Sequence, residues 1–106
     1  MKTKKTIRNM ADVPLGPALN TPGEILFADF LEPMGISLRE LARRMGTTAM
    51  RISEIVRGRR SITAETAILL GQALETTPEF WMNLQTQHDL AKAAIRLKER
   101  KLAIAA

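Results

Sequence analysis

Between Leu38 and Arg60 the chain reads LRELARRMGTTAMRISEIVRGRR, and no other stretch constrains the fold as strongly. Leu38, Leu41, Ala42 and Met45 recur at helical spacing and predict the inner face of a short helix. Ser37 stands where an N-cap hydroxyl is wanted. Gly46 offers the permissive backbone of a sharp turn. Thr48 can cap a second helix whose Ile52, Ile55 and Val56 turn inward. Ala49, Met50, Arg51, Ser53 and Glu54 are then left facing out. Ala42 falls where the two helices cross, and a larger side chain there would push them apart. Thr47 departs from the branched apolar residue common at such a turn, although its methyl can still point inward.

This order of caps, turn and apolar positions predicts a helix-turn-helix. Such a unit lays the N-terminal half of its second helix in the major groove of DNA. The competing reading is a plain helical hairpin with solvated arginines. The size, turn and apolar constraints met at fixed offsets favour the first, and the charge distribution fits it. Residues 38–60 hold seven arginines and two glutamates, a net +5 equal to that of the whole chain. The flanking stretches 22–37 and 61–91 are net −3 and −4, and the two ends are basic again. A concentrated basic segment between acidic ones is the electrostatic footprint of a phosphate-binding surface.

The 106 residues, 45% of them hydrophobic, suffice for one compact domain. No apolar run approaches the length of a membrane span, and the basic N-terminus lacks the apolar stretch of a secretory signal. The chain has no Cys, so disulfides and thiolate metal sites are excluded and a cytoplasmic location is expected.

The rest of the chain reads as four further segments around this centre. Residues 1–20 are Lys- and Thr-rich and broken by Pro14, Gly16 and Pro17, which predicts a basic, flexible N-terminal arm. The domain proper spans 21–106, with the helix-turn-helix at about 38–57. Thr21, Pro22, Gly23 and Glu24 open a first helix, Ile25, Leu26, Phe30 and Leu31 give its inner face, and Pro33 with Gly35 should end it. After a loop from Gly58 to Ile62, Thr63 caps a fourth helix lined by Ala67, Leu70, Ala73 and Leu74. Thr77, Pro78 and Glu79 start a fifth over about 78–103, anchored by Phe80, Trp81 and Leu84. Leu90, Ala94, Ile95 and Leu97 continue an apolar stripe with little chain left to cover it, and are the candidate dimer interface. The fold class is therefore all-α, five helices with an extended C-terminal one.

An enzyme is disfavoured. The single His, His88, sits mid-helix, and no Tyr, Gly-rich phosphate loop or metal-ligand cluster accompanies it. No cofactor and no metal are expected.

From Thr21 to about Leu90 the chain resembles the HigA-type antitoxins, a branch of the phage-repressor-like (XRE) helix-turn-helix proteins with the lambda-repressor-like fold. The resemblance rests on TPGEIL, FLEPMGIS, RISEIVRGRRSITAETAILL and TTPEFWMNLQTQHDL. It implies a dimeric DNA-binding protein that represses its own toxin–antitoxin operon at an inverted-repeat operator. It also implies neutralisation of a HigB-type toxin, a ribosome-dependent mRNA-cleaving ribonuclease. On this resemblance the groove-reading helix corresponds to Thr48 through Arg57, with Ala49, Met50, Arg51, Ser53 and Glu54 facing bases. A stand-alone repressor without a toxin partner is the alternative.

Chemistry assigns roles to these residues. Arg51 can give two parallel hydrogen bonds to guanine O6 and N7. Ala49 and Met50 can touch a thymine methyl, and Ser53 can bond a base or a phosphate. Glu54 can accept from cytosine or orient Arg51 or Arg57, and the orienting role is favoured because a bare carboxylate is repelled by phosphates. Arg39, Arg57, Arg59 and Arg60 are expected to grip phosphates and set register. The toxin surface has no motif; the arm before Thr21, ordering as it binds, is one candidate.

Overall fold

The computed structural model describes residues 20–105, with side chains described to residue 102. The expected arm lies outside the described residues except for Asn20. Among the described residues the fold is all-α, with five helices and no strand.

Helix α1 occupies 22–34. Thr21 and Glu24 form a reciprocal capping box: Thr21 Oγ1 accepts the Glu24 N–H at 3.1 Å, and Glu24 Oε1 accepts the Thr21 N–H at 2.9 Å. The helix starts as Pro22–Ile25, widens into a π-helix over Leu26–Leu31, and closes as Glu32–Met34. Here the structure corrects the sequence reading, because Pro33 does not end the helix. The Glu32 N–H reaches back to the Phe27 carbonyl, so the turn before Pro33 is already wide. A widened turn relieves the clash between a proline ring and the carbonyl four residues earlier. The helix stops at Gly35 (φ 65°), the other half of the expected stop signal. The π segment also explains why Leu26 and Leu31, five residues apart, are both buried. In a regular α-helix that spacing would set them on different faces.

Helix α2, Leu38–Met45, is capped by Ser37, whose Oγ accepts the Glu40 N–H at 3.0 Å. It ends in a Schellman turn. The Thr47 N–H bonds to the Ala42 carbonyl at 2.9 Å and the Gly46 N–H to Arg43 at 3.3 Å, with Gly46 at φ 70°. A side chain at 46 would strain this turn, which is why the sequence has glycine there. Helix α3, Ala49–Val56, is capped by Thr48 (Oγ1 to the Arg51 N–H, 3.2 Å). Helix α4, Ala64–Leu74, is capped by Thr63 and leaves through Glu75 in the left-handed conformation (φ 58°). Helix α5 runs Pro78–Ala105, a little beyond the expected 103, and Thr77 Oγ1 accepts the Phe80 N–H at its start.

Most of the core is the set the periodicity predicts, but Ile25, Phe30, Leu38, Val56, Ala73 and Leu84 are only half-buried and Phe80, expected as an anchor, is 37% exposed. Leu26, Leu31, Leu41, Ala42, Met45, Ile52, Ile55, Ala67, Leu70, Leu74 and Trp81 are buried, joined by Ile36 and Ile62. Each large apolar side chain buried here contributes about 1.5–3 kcal/mol over leaving it in water. Phe30 of α1 meets both Trp81 (centroids 5.1 Å, tilted) and Phe80 (5.8 Å, edge-to-face), tying α5 to α1. The Trp81 indole N–H donates to Thr76 Oγ1 at 2.6 Å, so the buried ring has its polar group satisfied. Helix α1 lies against α3 and α5, while α4 holds both α2 and α5. At Gly23 the approach is closest. A Cβ there would stand 1.8 Å from the Ile55 carbonyl oxygen, so α1 meets the backbone of α3 with only hydrogen between.

Candidate nucleic-acid interface

Helix α3 is pinned on one side and open on the other. Ile52 and Ile55 are buried, and α2 and the start of α1 pack against it. Opposite them lie Met50, 73% exposed, with Ala49 and Arg57 exposed and Ser53 and Glu54 half-buried. Thr48 is exposed and its hydroxyl is already engaged as the cap. Arg39, on the first turn of α2, and Arg59, just past the α3 turn, are exposed.

Arg51 is not a free arm. It is half-buried on the flank facing α4, beside Thr47, Thr66 and Leu69. Its Nε is buried with no hydrogen-bond partner among the described residues, so any donor work falls to the terminal Nη groups. Packing the stem in this way reduces the rotamer freedom lost when the guanidinium forms bonds.

Three of the seven arginines are matched to carboxylates. Glu40 takes Arg43 through both Nε (2.9 Å) and Nη2 (2.6 Å), and Arg44 at 3.0 Å. The hydrogen bonds from Arg43, then Arg44, hold the Glu40 carboxyl at about 2, well below the usual carboxylate range. The same pairing raises the Arg43 guanidinium. Glu54 accepts from Arg60 at 3.0 Å (Nε) and 2.8 Å (Nη2). This corrects the expectation that Glu54 orients Arg51 or Arg57. The turn at Gly58, where the Arg59 N–H returns to the Glu54 carbonyl at 2.8 Å, folds Arg60 back over that residue. Arg39, Arg51, Arg57 and Arg59 keep no carboxylate partner among the described residues.

One positioning residue escaped the sequence reading. Gln85, buried on α5, accepts the Ile62 N–H at 2.8 Å and donates to Asp89 at 2.9 Å. It ties the loop after α3 to the long helix. The available signal was a polar residue one turn after Trp81 on an otherwise apolar face. On the same helix Leu90, Ala94 and Leu97 are exposed, whereas Ile95 is half-buried on the side of buried Ala91. His88 lines a small cleft with Thr21, Arg60, Ser61 and Asp89. Among the described residues no group of His, Asp and Glu could hold a metal, and no helix is long and apolar enough to cross a membrane.

Comparison with known proteins places this arrangement. The helix-turn-helix family matches residues 28–81, spanning α2, α3 and α4 and reaching Trp81. Antitoxin HigA-1 of Vibrio cholerae is 44% identical over 77 residues, 73% of this chain and 72% of that protein. The structure of Pseudomonas aeruginosa antitoxin HigA with the higBA promoter is 41% identical, with a TM-score of 0.73 over 76% of this chain and 88% of that one. An addiction module antidote protein of the HigA family from Coxiella burnetii is 37% identical, with a TM-score of 0.71 over 76% of this chain and 88% of that one. The chain belongs to the same family, the HigA-type antitoxins of the XRE helix-turn-helix class, a family of regulators and not of enzymes.

Proposed function

We propose that this chain is an antitoxin that, as a dimer, binds an inverted-repeat operator to repress its own operon and neutralises a HigB-type mRNA-cleaving toxin. The observation that carries the DNA reading is the outward face of α3. It is uncovered by the rest of the described chain and bordered by arginines that keep no carboxylate partner among the described residues. The P. aeruginosa relative is described with its promoter, which supports the same use of this face.

On this reading Arg51 bonds guanine, Ala49 and Met50 meet thymine methyls, and Ser53 bonds a base or phosphate. Arg39, Arg57, Arg59 and Arg60 hold phosphates and fix register, with Thr48 at the helix start beside the backbone. One such helix reads few base pairs, so two are needed, about 34–36 Å apart on one duplex. The exposed line of Leu90, Ala94 and Leu97 supplies an apolar surface for the twofold contact, with Ile95 at its inner edge. The basic segment before Thr21 is proposed as the toxin-binding arm, and deleting residues 1–20 should abolish toxin capture. Operator-bound, the protein works in the cytoplasm on the nucleoid.

The test is co-purification with the product of the neighbouring gene, then footprinting of the shared promoter with and without it. A protected inverted repeat and a stable complex support the proposal. Protection with no toxin partner leaves a stand-alone repressor; no protection removes the DNA role.

A further inference from the structure

Met50, Glu54 and Arg57 recur at i, i+4 and i+7 and so form one ridge down the open side of α3. Glu54 is the anomaly in that ridge, because an anion placed among DNA phosphates is repelled. The structure shows how the repulsion is removed. Both Arg60 bonds, from Nε at 3.0 Å and Nη2 at 2.8 Å, fall on Oε1 alone. Oε2 has no partner among the described residues. The Glu54 carbonyl also receives the Arg59 N–H at 2.8 Å, so the loop is held to this one residue by backbone and side chain together. Both side chains remain partly open to solvent, 37% for Glu54 and 46% for Arg60.

We infer that Glu54 and Arg60 act as one specificity-determining unit. Glu54 Oε2 accepts the N4 amino group of a cytosine, while Arg60 neutralises the carboxylate and turns its spare N–H groups to the neighbouring phosphate. The inference rests on α3 being the groove-facing helix. Major-groove donors are the amino groups of cytosine and adenine only. Adenine carries the N7 acceptor beside its amino group, which faces a carboxylate unfavourably; cytosine does not. A guanidinium has five N–H groups, and two are spent on Oε1. The rest stay free for phosphate oxygens. A solvent-exposed pair of this kind adds little to folding stability, so its loss should leave the melting transition nearly unchanged.

The test is selection of binding sites from a randomised duplex pool with the full chain. The wild type should return a motif with a cytosine that Glu54→Gln converts to adenine, because glutamine bonds adenine N6 and N7 together. The remaining motif should be kept, and the preference at that position should change by about tenfold. Glu54→Ala should leave the position without preference. Arg60→Ala should weaken binding to every duplex, and more so when Glu54 is present than in the Glu54→Ala background. A Glu54→Gln motif identical to the wild type overturns the inference. So does an equal loss from Arg60→Ala in both backgrounds. A wild-type chain that returns no motif overturns the groove-reading role of α3 and this inference with it. That failure appears in the parent protein and not in the variant. Circular dichroism melts of each variant separate unfolding from lost recognition.

Discussion

On the proposed reading, single residues on α3 divide the labour of binding by where their side chains are anchored. Arg51 has a packed stem and a buried Nε, which leaves its terminal nitrogens aimed from a fixed base. Arg51→Ala should therefore weaken binding to operator by about tenfold or more and to random duplex much less. Fluorescence anisotropy on both duplexes measures this, and equal losses would remove Arg51 from reading. Arg51→Met, which keeps the stem packing, should show the same selectivity. Arg59 is exposed and has no carboxylate partner among the described residues, so Arg59→Ala should weaken both duplexes alike. A selective loss on operator would contradict that role. Away from the interface, Glu75 is a non-glycine residue in the left-handed region at the end of α4. Glycine adopts that conformation without the Cβ clash, so Glu75→Gly should stabilise the fold by about 1 kcal/mol. Thermal melting should move up by about 4–8 °C. An unchanged or lowered midpoint would show that unfolded-chain entropy outweighs the relieved strain.

At the scale of elements, the helix-turn-helix was legible because its determinants are local. Ser37, Gly46 and Thr48 are caps and a turn within a few residues of the apolar positions they punctuate, and each sits as the spacing predicts. The first helix was read less well. Pro33 counts as a stop signal only if the preceding turn is a regular α-turn, and the π segment over Leu26–Leu31 has no period of its own to recognise. The Glu54–Arg60 pair was hidden for a different reason: it spans the turn at Gly58, so no helical offset connects the partners. Gln85 was hidden because its partner is a backbone N–H on another element. Helix α2 carries its own pH dependence. With Arg43 and Arg44 on it, Glu40 has a carboxyl held at about 2 in the folded state, below its unfolded value. Its contribution is thus present above the ordinary carboxylate range and lost as pH falls through about 2. Following the Glu40 side-chain carboxyl by NMR should give a midpoint near 2 that rises with added salt; an ordinary midpoint would mean the arginines are free in solution.

At the scale of the whole molecule, residues 38–60 carry a net +5 equal to that of the chain, and binding should show that in bulk. If the dimer neutralises about six phosphates, affinity should fall with salt at a log–log slope near −5. A slope near zero would mean the basic face is not used. Dimerisation itself should depend on the outer line of α5. Leu97→Glu, at a 58% exposed position, should halve the mass seen by sedimentation and reduce operator affinity while leaving the melting curve of the subunit largely intact. A variant that remains dimeric would move the interface elsewhere. The seat of α3, by contrast, includes the close approach of α1 at Gly23. That contact is main chain against main chain, so it takes no part in the identity of any outward side chain. New operators can accordingly be addressed by swapping the ridge residues wholesale, in evolution or in the laboratory. Position 23 has no such latitude, since a methyl group there would collide with the Ile55 carbonyl and, on the proposed reading, should weaken binding to every operator alike.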